Sequence, residues 1–203
     1  MIAEARRVVL ESGATTTVEC WGDAGPAILC VHGIGSSRRD FTQLGEALAS
    51  THRVFAYDQR GHGDAETAAP MTLDVLAADL RSVADSIGTV AAVVGHAWGG
   101  AVALVGGPKI ARALVLVEPM IRVAPGTFGN GADEAGWDLR ERLATLKIPA
   151  TILLAGVDSV VAPGDLSRAN PFVHVETLPD HGHMLHRSAF ERFADAVREA
   201  VPA

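Results

Sequence analysis

Four short stretches of this 203-residue chain carry the residue types and spacing that acyl-transfer chemistry uses. His32-Gly33-Ile34-Gly35-Ser36-Ser37 follows an apolar run. Its glycines let backbone N–H groups turn toward a bound atom, as stabilising an oxyanion requires. Gly95-His96-Ala97-Trp98-Gly99-Gly100 lies between a second apolar run and an apolar helix start. This is the outline of a sharp strand-to-helix turn that would lift its central residue into a site. Gly156-Val157-Asp158-Ser159 offers an acid, and Asp180-His181-Gly182-His183 offers a base. Taken alone, each stretch reads as well as an ordinary turn.

The elements that must position these loops are legible as apolar runs. Ala27 to Val31, Val54 to Tyr57, Val90 to Val94, Ala113 to Val117, Ala150 to Leu154 and, more weakly, Val173 to Glu176 show little alternation. Such runs predict strands buried on both faces, the pattern of a parallel sheet. Leu73, Leu76, Leu80, Val83 and Ile87 share one helical face, and Phe190, Phe193, Ala194, Val197 and Val201 share another. Arg7 to Glu11 and Thr15 to Trp21 flank Ser12-Gly13-Ala14 as an antiparallel edge hairpin. A further helix is expected over Asp133 to Leu146, after a glycine-rich loop at Pro125 to Gly131. The fold class is therefore α/β, an open sheet with helices on both faces and ligands at the carboxyl ends of its strands.

Composition narrows the function classes. There are 17 Lys and Arg against 24 Asp and Glu, a net charge of −7, with the basic residues scattered, which argues against nucleic acid. No apolar stretch reaches membrane-spanning length, and no signal sequence is visible in the first residues, so a cytoplasmic location is expected. Cys20 and Cys30 sit in apolar runs and read as reduced core thiols. No His, Cys or carboxylate set has metal-ligand spacing and no phosphate-binding glycine loop appears; neither metal nor cofactor is expected.

The four loops in this order, together with Tyr57-Asp58-Gln59-Arg60-Gly61-His62-Gly63, which matches the structural D-x-R-G-x-G turn of that family, resemble an α/β-hydrolase from about residue 7 to the C-terminus. The resemblance implies a single domain over residues 1–203, with 119–148 as a short segment in place of the usual cap. It implies a nucleophile at position 97, Asp158 as the acid and His183 as the base, with the N–H groups of Ile34 and Trp98 as oxyanion hole. Glu118 is a rival acid, at a position that a minority of the family uses. Phe128 and Trp137 are candidates for an apolar substrate wall and equally for packing. His32 and His96 are expected to pack and hydrogen-bond, His181 and His186 to be exposed, and Arg38 and Arg39 to form a solvated surface pair.

The departure from the family pattern lies at the centre. Ala97 stands where the family carries Ser, less often Asp or Cys, and alanine has nothing for His183 to deprotonate. Either the residue was changed deliberately or a natural homologue lost or never had its nucleophile. A turn released from catalysis would tend to relax to glycine, so retention of a Cβ fits a one-atom deletion from serine better than long drift. The string with Trp98-Gly99-Gly100 also resembles Asp-dependent epoxide hydrolases and dehalogenases. Those usually carry proline at the position of Gly35, and epoxide hydrolases use two cap tyrosines where this chain has only Tyr57. The resemblance thus implies a hydrolase of carboxylic esters or lactones, inactive as the chain stands. Its partner would be a small-molecule substrate, with no membrane partner, and the chain a monomer or homodimer. A nucleophile-free binding protein, or a His183–Asp158 dyad in a lyase or oxygenase, are the alternatives.

Overall fold

In the computed structural model, residues 4–67, 70–128, 135–162, 164–166 and 170–203 are described. The chain opens with β1 (Glu4–Val9) and β2 (Thr15–Trp21), then β3 (Ala27–Val31), α1 (Thr42–Leu48), β4 (Arg53–Tyr57), α2 (Leu73–Ile87), β5 (Val90–His96) and α3 (Trp98–Gly106). It continues through β6 (Ala113–Val117), β7 (Arg122–Val123), β8 (Trp137–Asp138), α4 (Arg140–Ala144), β9 (Ala150–Ala155), β10 (Val173–Leu178), α5 (Leu185–Ser188) and α6 (Phe190–Ala200). Eight strands form one sheet in the order β1-β2-β4-β3-β5-β6-β9-β10. The β1–β2 and β2–β4 pairs are antiparallel, and every pair from β4 to β10 is parallel.

Five of the six apolar runs are central strands, β3, β4, β5, β6 and β9, because both of their faces are covered, while the run at Val173 forms the edge strand β10 and is largely exposed. Within β3, Ile28 and Cys30 join the core formed with α1 and α6, while Leu29 and Val31 join the core formed with α2 and α3. The same alternation divides β5, where Ala92 and Val94 pack on one side and Val93 on the other. The α2 helix starts at Thr72, whose side chain accepts from the Val75 N–H, and buries Leu73, Leu76, Leu80 and Val83 before stopping at Gly88 with φ 87°. Among the described residues, no helix is long and apolar enough to cross a membrane.

The segment after β6 departs from expectation. The helix expected over 133–146 occupies only Arg140–Ala144, and Trp137–Asp138 pairs antiparallel with Arg122–Val123. Asp133 and Glu134 lie outside the described residues. The cause is local: Gly136 has φ 66° and its backbone runs so close to β7 that a Cβ there would stand 2.4 Å from the Val123 carbonyl oxygen. The chain is tied to the ribbon at that point, and the helix begins only after it.

The sheet changes direction at β3. From β3 the chain moves out to β4, then crosses by α2 to β5 on the other side of β3. The loops that follow β3 and β5 therefore meet over the carboxyl ends of adjacent strands, where open α/β sheets bind ligands. The β3 loop is pinned from below by charge. Asp58, wholly buried, accepts the Arg38 N–H at 2.8 Å and the Asp64 N–H at 2.9 Å and pairs with the Arg38 guanidinium. Arg38 is thus buried rather than solvated, with Glu19 and Asp64 as its further partners.

His32 fixes the start of the same loop. Its Nε2 accepts the Gln59 N–H at 3.0 Å, which puts the ring proton on Nδ1, donated to the Gly33 carbonyl at 2.7 Å. Burial pushes the His32 pKa down to about 4. The folded chain therefore keeps this ring neutral, whereas the unfolded chain protonates it below about pH 6.5. The contribution to stability is full above that pH and falls by up to about 3 kcal/mol as pH drops toward 4. Ring-nitrogen NMR is expected to show His32 as the neutral Nδ1–H tautomer at pH 5.5 in the folded protein. A charged imidazolium at that pH would contradict the assignment.

Candidate active site

Ala97 occupies the turn between β5 and α3 with φ 51° and ψ −115°. A residue with a Cβ pays roughly 1–3 kcal/mol for such a conformation and keeps it only where its surroundings dictate it. They do so here. The Ala97 N–H donates to the Val117 carbonyl at 2.9 Å, and the Ala97 carbonyl accepts from Gly100 N–H at 3.0 Å and Met120 N–H at 3.1 Å. The flanking glycines allow the turn to close. A Cβ on Gly99 would lie 2.2 Å from the Val31 carbonyl oxygen, and one on Gly95 would lie 2.5 Å from the Gly99 carbonyl oxygen.

Above Ala97 lies a cavity of about 240 Å³, walled by Ile34, Met120, Val160 and Met184 and reached by His96, Asp40 and His183. Ala97 and His183, which the sequence places 86 residues apart by number, thus face one space. Ile34 lies on the cavity wall in the loop after β3. Trp98 opens α3, so its N–H is among those at the helix start that have no intrahelical acceptor. The indole of Trp98 is wholly buried beneath the turn.

The carboxylate paired with His183 is Glu118, the rival of the sequence reading, and not the expected Asp158. His183 Nδ1 lies 3.5 Å from Glu118 Oε2, a contact at the long limit of a hydrogen bond. Glu118 follows β6 directly, has φ 49° and is wholly buried. Its Oε1 accepts from the Ala155 N–H at 2.7 Å and the Ser159 hydroxyl at 2.9 Å, and its Oε2 accepts from the Val160 N–H at 2.8 Å. Burial alone would raise its pKa, but His183 and these donors outweigh burial and hold it below the ordinary carboxylate value. The loop at 156–160 therefore supplies donors to Glu118 rather than an acid to His183. Asp158 itself is exposed, with φ 54°.

Phe128 and Trp137 take the packing alternative, and the expectation for His186 changes. Phe128 and Trp137 do not line the cavity over Ala97. They extend a stack from Trp98, with ring centroids 6.0 Å apart from Trp98 to Phe128 and 5.8 Å from Phe128 to Trp137, and the Trp137 Nε1–H is held by the Met120 carbonyl at 2.7 Å. His186 is 2% exposed rather than on the surface, because α5 turns it inward against Phe41 and Phe193. His186, His96 and Asp40 come together although no spacing in the sequence links them. His96 is buried as expected, and its Nε2 donates to the His183 carbonyl at 3.2 Å, which ties the base-bearing loop to the end of β5. His181, expected to be exposed, is half-buried, with Nδ1 3.2 Å from the Ser188 hydroxyl.

Comparison with known proteins places this geometry in a lineage. Residues 28–146 match the sequence model described as the alpha/beta hydrolase family. Lipase LipV of Mycobacterium tuberculosis is 36% identical over 170 residues, covering 80% of this chain and 63% of the lipase, so the chain spans less than two thirds of that relative. The mouse sn-1-specific diacylglycerol lipase ABHD11 is 33% identical over 249 residues, covering 87% of this chain and 81% of the relative. The fold matches the crystal structure of an enol-lactonase from Burkholderia xenovorans LB400 with a TM-score of 0.84 and 16% identity, over 96% of this chain and 99% of that one. On the matched span and on the mouse relative, the chain belongs to the alpha/beta hydrolase family, and that membership supports a hydrolase role.

Proposed function

We propose that this chain is a carboxylic ester or lactone hydrolase whose nucleophile has been reduced to alanine. The observation that carries the reading is the retained, strained turn at Ala97, opposite an intact His183–Glu118 pair across one apolar cavity. Strain of this kind persists where a site uses it, and the grouping of His183, its Glu118 partner and the loop after β3 around the Ala97 methyl group supports that reading. With a hydroxyl at position 97, His183 takes its proton as the oxygen attacks the acyl carbon. Glu118 orients the imidazole and stabilises its charged form, and the N–H groups of Ile34 and Trp98 bind the oxyanion. Water then releases the acid, with His183 again as base. As it stands, the chain binds substrate without turning it over.

The apolar wall of Ile34, Met120, Val160 and Met184 suits an acyl chain or a lactone ring of modest size. A serine parentage fits better than an aspartate one, since the only tyrosine, Tyr57, is 1% exposed in a core strand.

The Ala97→Ser protein is expected to gain p-nitrophenyl ester or lactone turnover by roughly 10³-fold or more over the unaltered chain, together with covalent labelling by a fluorophosphonate. Equal turnover by the unaltered chain, or serine bringing neither activity nor labelling, would overturn the reading in favour of a binding protein or a nucleophile-free His183–Glu118 dyad.

The two acids separate in the same background. Adding Glu118→Gln to Ala97→Ser should cost roughly 10³- to 10⁴-fold in kcat, because the imidazole loses the carboxylate that orients it. Adding Asp158→Asn should leave kcat within a few-fold. The reverse ranking would return the acid to Asp158.

A further inference from the structure

Beside the Ala97 cavity, three side chains from distant parts of the chain converge. Asp40 lies in the short helical turn after the β3 loop, His96 ends β5 and His186 sits in α5. One ligating atom from each lies within 4.8 Å of the others. The two imidazoles are 3% and 2% exposed with ring centroids 4.2 Å apart, and the Asp40 side chain is 4% exposed. Two adjacent, buried imidazoles tilted at 48° beside a carboxylate form an unusual grouping for a core, where every polar atom should find a partner.

Here several do not. His186 Nδ1 and Nε2 are both buried without a hydrogen-bond partner, the nearer carboxylate oxygen, Asp40 Oδ2, being 3.9 Å from Nε2. His96 Nδ1 is also buried and unpartnered. On the same ring, Nε2 donates to the His183 carbonyl, so the proton sits on Nε2 and Nδ1 presents a lone pair. Metal-bound histidines characteristically donate the other ring N–H to a carbonyl or carboxylate in this way.

We propose that Asp40, His96 and His186 form a binding site for one divalent transition-metal ion, with zinc the best chemical match to two imidazoles and a carboxylate. The ligating atoms of a tetrahedral zinc site stand roughly 3.3 Å apart, so the three side chains draw in by about 1 Å on binding. Asp40 and His96 both line the cavity, which gives the ion its entry path and leaves a coordination position for water. The Asp40 carboxylate already accepts from the Ser36 hydroxyl and pairs with Arg187. Arg187 is 57% exposed and can withdraw into solvent as the cation takes its place beside the buried Asp40 carboxylate. The site is distinct from the His183–Glu118 pair, and the inference stands whether or not the chain hydrolyses esters.

The test uses the untagged full chain, stripped with a chelator and titrated with ZnCl₂ by calorimetry, with histidine ring NMR on the same samples. One ion per chain is expected, with Kd near or below about 1 μM and a higher Tm at saturating zinc. The His96 and His186 ring signals should shift together in step with the one-to-one titration. Asp40→Asn and His186→Gln should each weaken binding by at least the roughly 10–100-fold that loss of even an outer-shell partner costs. Absence of binding in this range, shifts confined to His174 or His181, or unchanged affinity in folded variants would each overturn the site. The NMR result on the unaltered chain decides the matter if both variants fail to fold. None of these readouts depends on turnover, so their failure is separable from failure of the hydrolase reading.

Discussion

The turn at Ala97 is held at φ 51° by four backbone hydrogen bonds, one to the end of β6 at Val117 and others from Gly100, Ala101 and Met120, and the geometry around it follows from that constraint. Because the residue cannot relax, α3 must start abruptly. An abrupt start leaves its first N–H groups without intrahelical partners at the carboxyl edge of the sheet. It also forces the α3 backbone against β3, so closely that Gly99 has no room for a side chain beside the Val31 carbonyl. The same contact brings the loop after β3 over the turn, where Gly33 approaches both His96 and Ala97. The geometry that would lift a nucleophile therefore also builds the place where its oxyanion would rest.

A second constraint sets which carboxylate stands beside His183. A carboxylate buried at the end of β6 must find donors or give up its charge. Glu118 finds the Ala155 and Val160 N–H groups and the Ser159 hydroxyl, all from the end of β9 and its following loop. That loop is shaped around Glu118, which leaves Asp158 facing outward. Glu118 stays ionised next to His183, the condition for orienting the ring and stabilising an imidazolium.

Much of this was legible in the sequence. The five buried runs of β3, β4, β5, β6 and β9 and the helix from Leu73 announced themselves because both faces of each central strand are apolar and the α2 face repeats at helical spacing, whereas the run at Val173 belongs to the exposed edge strand β10. The glycine-bracketed loops placed Ala97, Ile34, Trp98 and His183 at strand ends, since strand order alone puts the loops after β3 and β5 side by side. The choice of acid was not legible, because Glu118 and Asp158 follow adjacent strands and only side-chain direction separates them. Phe128 and Trp137 look the same in sequence whether they wall a cavity or stack on Trp98. The inward turn of His186 and its meeting with Asp40 depend on how α5 docks, which no local spacing encodes. The truncated helix before β9 reflects a tertiary override, the ribbon with β7 taking residues whose pattern alone favours a helix.

The central claim is that the site is assembled for acyl transfer around position 97, with His183 and Glu118 as its working pair. A crystal structure of the Ala97→Ser protein after reaction with a small phosphonate tests it most directly. The account predicts phosphorus bonded to the new hydroxyl oxygen, with the phosphoryl oxygen about 3 Å from the N–H groups of Ile34 and Trp98. It also predicts His183 hydrogen-bonded through Nδ1 to Glu118. A phosphonate bound elsewhere, a phosphoryl oxygen with neither N–H as partner, or His183 turned to Asp158 would contradict it.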